Sequence, residues 1–201
     1  MVLTPSTMLP LGSPLPAFTL PVAPGTSDAA ELSSTALPTR PVLLMALCSH
    51  CPFVKHIEAE LSRLDHDYAS RVTLLGLASN SWITHPQDGP EALADQAHRH
   101  GWSFPYLLDQ QQSLAKALQA ACTPEFYLFA PDSAGLQTLR YRGQLDGSRP
   151  GNALPVNGHD LRDALDRVLS GAEPLRQQHP SIGCNIKWHP GQEPQWFGQT
   201  A

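Results

Sequence analysis

Residues 42–54 read Val-Leu-Leu-Met-Ala-Leu-Cys-Ser-His-Cys-Pro-Phe-Val. The run Val42–Leu47 is continuously apolar and of strand length, the pattern of a strand covered on both faces. Pro52 then takes a first-turn helix position, where its missing N–H costs nothing. Downstream, Phe53, Val54, Ile57, Leu61, Leu64 and Tyr68 recur at steps of three and four, which lays out one face of an amphipathic helix. A buried strand that runs straight into a helix predicts an α/β unit, with Cys48-Ser49-His50-Cys51 at the junction.

Outward from this unit the alternation continues. Residues 72–78 predict a second buried strand, and Gly89-Pro90 opens a helix that stops at Gly101. Phe104–Leu108 is a short extended piece and Ser113–Ala121 a short helix. Phe126–Phe129 and Leu136–Arg142 flank a Pro-Asp-Ser-Ala-Gly turn, hence an antiparallel hairpin. After a Gly/Pro/Asn-rich loop, Asp160–Ser170 makes the last helix, ended by Gly171. Such an order calls for a mixed sheet flanked by helices. Eight of the 20 prolines fall in the first 41 residues, so that segment is an extended arm with a short strand pair around Ala17–Leu20. We expect a flexible N-terminus over 1–10, one domain over 11–172, and a tail over 173–201 that packs back on it.

Composition narrows the function. A chain of 201 residues suits one domain. Its net charge of −5 and scattered 13 Lys and Arg argue against a nucleic-acid or acidic-membrane surface. No apolar run approaches the roughly 18–20 residues needed to span a bilayer, and the N-terminus lacks a basic leader region, so the expected location is cytoplasmic. Four cysteines are too few and too unevenly placed for a disulfide-stapled scaffold. In a reducing compartment a Cys-x-x-Cys is more often catalytic or metal-binding than structural.

Cys48 just before a helix N-terminus would gain from the unpaired N–H groups there, which stabilise a thiolate. Cys51, one turn later, can reach its sulfur. The expected scheme is attack by Cys48 on a partner's disulfide, followed by resolution by Cys51. An imidazolium at His50 would lower the thiol pKa further; the alternative is a His50 that only faces solvent. A zinc site from four cysteines needs a second close pair, which Cys122 and Cys184 do not supply. A mixed site with His50, His56 or His85 and an inert pair are the rival readings. Cys122 alone reads as a buried small hydrophobe, and the Thr123-Pro124 bond after it is of the only type that readily goes cis. The remaining histidines read as surface groups, and Trp82, Trp102 and Trp188 as packing residues.

Cys48-Ser-His-Cys-Pro-Phe-Val-Lys-His56, Phe104-Pro-Tyr-Leu, Cys122-Thr-Pro-Glu-Phe126, Tyr141-Arg-Gly-Gln144 and Pro180-Ser-Ile-Gly-Cys-Asn-Ile-Lys-Trp188 resemble the peroxiredoxin-like branch of thioredoxin-fold proteins, the redoxins related to alkyl hydroperoxide reductase and thiol-specific antioxidant. Gly12–Leu20 is similar to the opening segment of redoxin domains. The resemblance implies a thioredoxin-like α/β fold with an N-terminal hairpin extension, an insertion over residues 80–121 after the second core strand, and a C-terminal tail. It implies that Pro124 is a cis-proline facing the cysteines, with Thr123 offering its backbone to an extended substrate. It also puts Cys122 near the pair, as an auxiliary thiol with Cys184.

Two departures bear on activity. Peroxiredoxins carry Pro-x-x-x-Thr-x-x-Cys; aligned on Cys51, the threonine position holds Cys48 and the proline position Leu44. Thioredoxins bury an Asp in the strand before the cysteines, whereas Val42–Leu47 has no carboxylate, which leaves His50, Glu58 through water, or solvent to accept the proton. The expected function is thiol–disulfide oxidoreduction through Cys48 and Cys51, without a cofactor or resident metal. Its partners would be a disulfide-containing protein or small thiol, and a thioredoxin-type electron donor. Peroxide reduction and a metal-binding or metallochaperone module are the alternatives.

Overall fold

The computed structural model describes residues 3–198. In chain order the elements are β1 (Leu3–Pro5), β2 (Thr19–Pro21), β3 (Glu31–Ser33), β4 (Val42–Ala46), α1 (Pro52–Tyr68), β5 (Thr73–Ala78), α2 (Pro90–His100), β6 (Tyr106–Leu108), α3 (Ser113–Ala117), β7 (Cys122–Thr123), β8 (Glu125–Pro131), β9 (Gln137–Gly143), α4 (His159–Leu169) and β10 (Ile182–Asn185). A five-stranded sheet has the order β6-β5-β4-β8-β9. β4 runs parallel to β5, and β5 to β6, while β8 and β9 are antiparallel additions. This is the expected mixed sheet.

β4 lies at its centre, and its alternation explains the unbroken apolar run. Leu43, Met45 and Leu47 face one core with Val54, Ile57, Leu61 and Leu64 of α1, Leu93 of α2 and Leu161 and Leu165 of α4. Val42 and Leu44 face a second core with the N-terminal arm, α3 and Trp188. Both faces of the strand are therefore dry, and polar residues on either would be left unpaired. Among the described residues, no helix is long and apolar enough to cross a membrane.

One feature differs from expectation. Residues 3–5, expected within a flexible lead-in, form β1 and pair antiparallel with β10; a short strand with an available edge partner satisfies its backbone there. Residues 1, 2 and 199–201 lie outside the described residues. The insertion is part of the sheet, because β6 pairs with β5 at its edge. α1 begins at Pro52 with Cys51 as its N-cap, so the cysteines precede the helix and do not share it. The tail beyond α4 returns as β10, the middle strand of a second sheet, β1-β10-β7.

Candidate active site

Strand register brings the distant parts of the site together. Ala46 at the end of β4 pairs with Glu125 at the start of antiparallel β8. Residues just after Ala46 must then lie beside residues just before Glu125, which sets Cys48 against Thr123-Pro124. That peptide bond is cis. Pro124 has no N–H to continue the ladder, and the chain before it leaves the main sheet as β7.

Cys48 and Cys51 meet across this junction, close enough that each sulfur shifts the titration of the other. Cys48 Sγ lies 3.4 Å from Thr123 Oγ1. Cys51 Sγ lies 3.4 Å from the Thr123 carbonyl oxygen, a contact its protonated form would donate. All four cysteines are buried. Cys48 and Cys51 are only 1% and 0% exposed, so the dithiol is sealed from bulk water.

The two thiols titrate together, with Cys51 shifted down and Cys48 shifted up. Hydrogen bonds from Cys184 and Cys48 hold the Cys51 thiol well below its ordinary range, against the cost of burial. The Val54 N–H at the third helix position also favours its anion, although it closes no full cap hydrogen bond. Cys48 is pushed up, first because it donates to Cys51, then by burial and by the nearby charge of Asp88.

Asp88 comes from the insertion and was not picked out by the sequence reading. It is 1% exposed. Its Oδ1 accepts from the Ser49 amide at 3.2 Å and the Ser49 hydroxyl at 3.1 Å, and its Oδ2 accepts from Asn80 Nδ2 at 2.8 Å. His50 Nδ1 lies 2.7 Å from the same Oδ2, in ion-pair range but off the line of a hydrogen bond. The His50 ring also stacks on His85, with centroids 5.8 Å apart. His50 is thus directed at a carboxylate that holds the Ser-His turn, instead of pointing its charge at the thiolate alone. Its only sequence signal was Asp88-Gly89-Pro90, which reads as an ordinary helix opening.

Glu58, a candidate proton acceptor, is engaged elsewhere, by Gln96 Nε2 at 2.8 Å and His100 at 3.0 Å. Gln96 is buried in α2, accepts from the Tyr106 hydroxyl, and reaches the Cys48 carbonyl at 3.4 Å. For a metal, Cys48, His50 and Asp88 offer donor atoms within 4.8 Å of one another. The donor types suit zinc, but the His50–Asp88 contact already occupies two of them. His56 is bonded to Ser148 Oγ at 2.8 Å and takes no part.

Cys122 and Cys184 part company. In the β7–β10 pairing Cys184 stands opposite Thr123, and Cys122 opposite Asn185. Neighbours along a strand point to opposite faces, so Cys184 shares the Thr123 face with the redox pair and Cys122 is turned away. Cys122 lies 3.9 Å from Glu125 Oε2, and burial pushes its thiol up. The expectation that Cys122 and Cys184 act together is corrected by this alternation. Thr123 is corrected too: its backbone edge is taken by β10 of the same chain.

Comparison with known proteins agrees with this architecture. A sequence profile described as the AhpC/TSA family matches residues 11–142. The crystal structure of an uncharacterized conserved protein from Geobacillus kaustophilus superposes with a TM-score of 0.88 at 42% identity, covering 95% of this chain and 98% of that one. A hypothetical protein from Sinorhizobium meliloti 1021 gives 0.86 at 37% identity, covering 94% and 100%. A thioredoxin-like protein solved in its oxidized form gives 0.61 at 20% identity, covering 82% and 100%, a likeness of fold. No curated protein sequence matches the chain.

Proposed function

The chain belongs to the AhpC/TSA family, whose members are thioredoxin-fold redoxins, and from that we propose that it is a thiol–disulfide oxidoreductase working through Cys48 and Cys51. Thiol-based oxidoreduction is the coarse activity that family and fold support. The observation that carries the finer reading is the pair of buried sulfurs at the N-terminus of α1, both in contact with Thr123 and set against a cis Thr123-Pro124 bond.

The Cys51 thiolate attacks one sulfur of a substrate disulfide, and the other leaves as a thiolate. Cys48 then gives up its proton and attacks Cys51 Sγ, closing the Cys48–Cys51 disulfide and expelling the second substrate sulfur. Two electrons pass to the substrate, and a thioredoxin-type dithiol donor returns them. Attack by Cys51 reverses the order expected from sequence, because the helix end and the surrounding thiols favour its anion. Substrates of this reading are exposed disulfides of proteins or small thiols, in a reducing cytoplasm.

Reduction of insulin disulfides tests it. Cys51→Ser should lower the rate by roughly 10³-fold or more, and Cys48→Ser combined with Cys184→Ser should stall as a mixed disulfide visible by mass. Full activity in either variant overturns the proposal. One observation favours peroxide reduction at Cys51 as a second reading: its thiol is shifted down, and the thiolate is the form that peroxides oxidise. Stopped-flow oxidation by hydrogen peroxide no faster than that of a free thiol of similar pKa would discard it.

A further inference from the structure

β10 lies where a disulfide partner would have to lie. Its residues pair antiparallel with β7, Cys184 opposite Thr123 and Asn185 opposite Cys122. Thr123 is also the residue whose hydroxyl and carbonyl contact Cys48 and Cys51. An extended segment paired along this edge presents one side chain, that of the residue opposite Thr123, toward the sulfurs. In this protein that residue is a cysteine, opposite the Thr123 that contacts both sulfurs, and its thiol and that of Cys51 shift each other's titration.

The fit is close. A Cβ on Gly183 would stand 2.1 Å from the Thr123 carbonyl oxygen and 3.3 Å from Pro124 N, so only glycine lets the strand approach the cis peptide this nearly. The cleft left beside the strand, lined by Phe53, Ile57, Pro124, Ser181 and Ile182, has about 20 Å³ of space. That is room for roughly one water. While β10 is seated, no extended substrate can use the edge. Yet the strand is short, pairing through three residues with β1 and two with β7.

We propose that Cys184 is a third redox residue of the site, carried into the groove by β10 as a built-in substrate for Cys51. The proposal rests on the Cys48–Cys51 reading and deepens it. Once the Cys48–Cys51 disulfide has formed, the Cys184 thiolate attacks Cys51 Sγ. The Cys51–Cys184 bond forms and the Cys48–Cys51 bond breaks. Cys48 leaves as a thiolate and takes up the proton that Cys184 lost. The oxidation level of the protein is unchanged, and no outside reagent enters. The product pins β10 in the groove and leaves Cys48 as a thiol; the reverse exchange frees the strand. The occupant that an incoming disulfide must displace is therefore itself a reactant.

The test is disulfide mapping of the full chain, oxidised with diamide, quenched in acid, alkylated and digested. Wild-type protein should yield both Cys48–Cys51 and Cys51–Cys184 linkages. Cys48→Ser should yield Cys51–Cys184 within single chains, and Cys184→Ser only Cys48–Cys51. Gly183→Ala, which drives the strand from Thr123, should lose the Cys184 linkage, keep Cys48–Cys51, and alkylate at Cys51 at least several-fold faster. A Cys48→Ser protein whose Cys51 and Cys184 both remain alkylatable after diamide overturns the proposal. Failure of the underlying reading looks different: Cys184→Ser would then form no Cys48–Cys51 disulfide and reduce no insulin.

Discussion

Two buried carboxylates flank the four sulfurs, and the chain surrounds them in opposite ways. Asp88, beside Cys48, receives Ser49 through both amide and hydroxyl, Asn80, and the ion-pair contact of His50. Glu125, beside Cys122, has the Ala121 and Cys122 amides on a single oxygen, at 3.0 and 3.3 Å. Burial outweighs these donors and the Tyr127 hydroxyl, and pushes the Glu125 carboxyl up to about 7. A carboxylate with donors on both oxygens can serve as a fixed charge that anchors a turn. One with few donors in an apolar wall keeps its proton to near neutral pH. The first region holds the redox pair in shape; the second gives the fold a titrating group at its centre.

The sharpest way to break this contrast is Glu125→Gln. A carboxyl whose folded pKa is raised from 4.5 to about 7 binds more protons folded than unfolded between those values. Its contribution is fully present below about pH 4.5 and is lost as pH rises through 7. Wild-type stability should fall by on the order of 3 kcal/mol across that window from this group. Urea unfolding at several pH values should show that slope removed in Glu125→Gln; an unchanged slope assigns it to other groups.

Asp88→Asn comes next in size. The Asp88 charge raises the Cys48 thiol, so its removal should lower the Cys48 titration by up to about one unit. Thiolate absorbance at 240 nm against pH, read in a background with Cys51, Cys122 and Cys184 all replaced by Ser so that Cys48 alone reports, measures it. A rise would contradict the field assigned to Asp88. The smallest effect belongs to His50→Ala. Because the ring is directed at Asp88, the same titration should move by less than about 0.5 unit, and a larger drop or rise would mean that His50 acts on the sulfur directly.

Legibility followed the range of the interaction. β4, α1 and the β8–β9 hairpin were readable because periodicity, Pro52 and the turn at Asp132–Gly135 act within a few residues. The cysteine pair was readable for the same reason. The direction in which each sulfur is shifted was not, because it depends on the neighbouring thiols and on burial. Asp88 was missed because its partners Ser49 and Asn80 lie on separate segments. β10 was quoted as part of a block, yet nothing in Ile-Gly-Cys-Asn says which edge it joins; three or four extended residues carry too little pattern to choose a partner.

By itself the sequence determined an α/β chain with a redox-competent Cys-x-x-Cys where a buried strand meets a helix, since strand, helix and turn preferences are local. Tertiary structure alone decided how the sulfurs shift one another, which carboxylate lies beside them, and that Cys184 stands opposite Thr123. Those depend on helix N–H direction, on burial, and on strand register across more than 60 positions of chain, from Thr123 to Cys184. Charge and burial are sums over neighbours in space, and a linear pattern does not contain them.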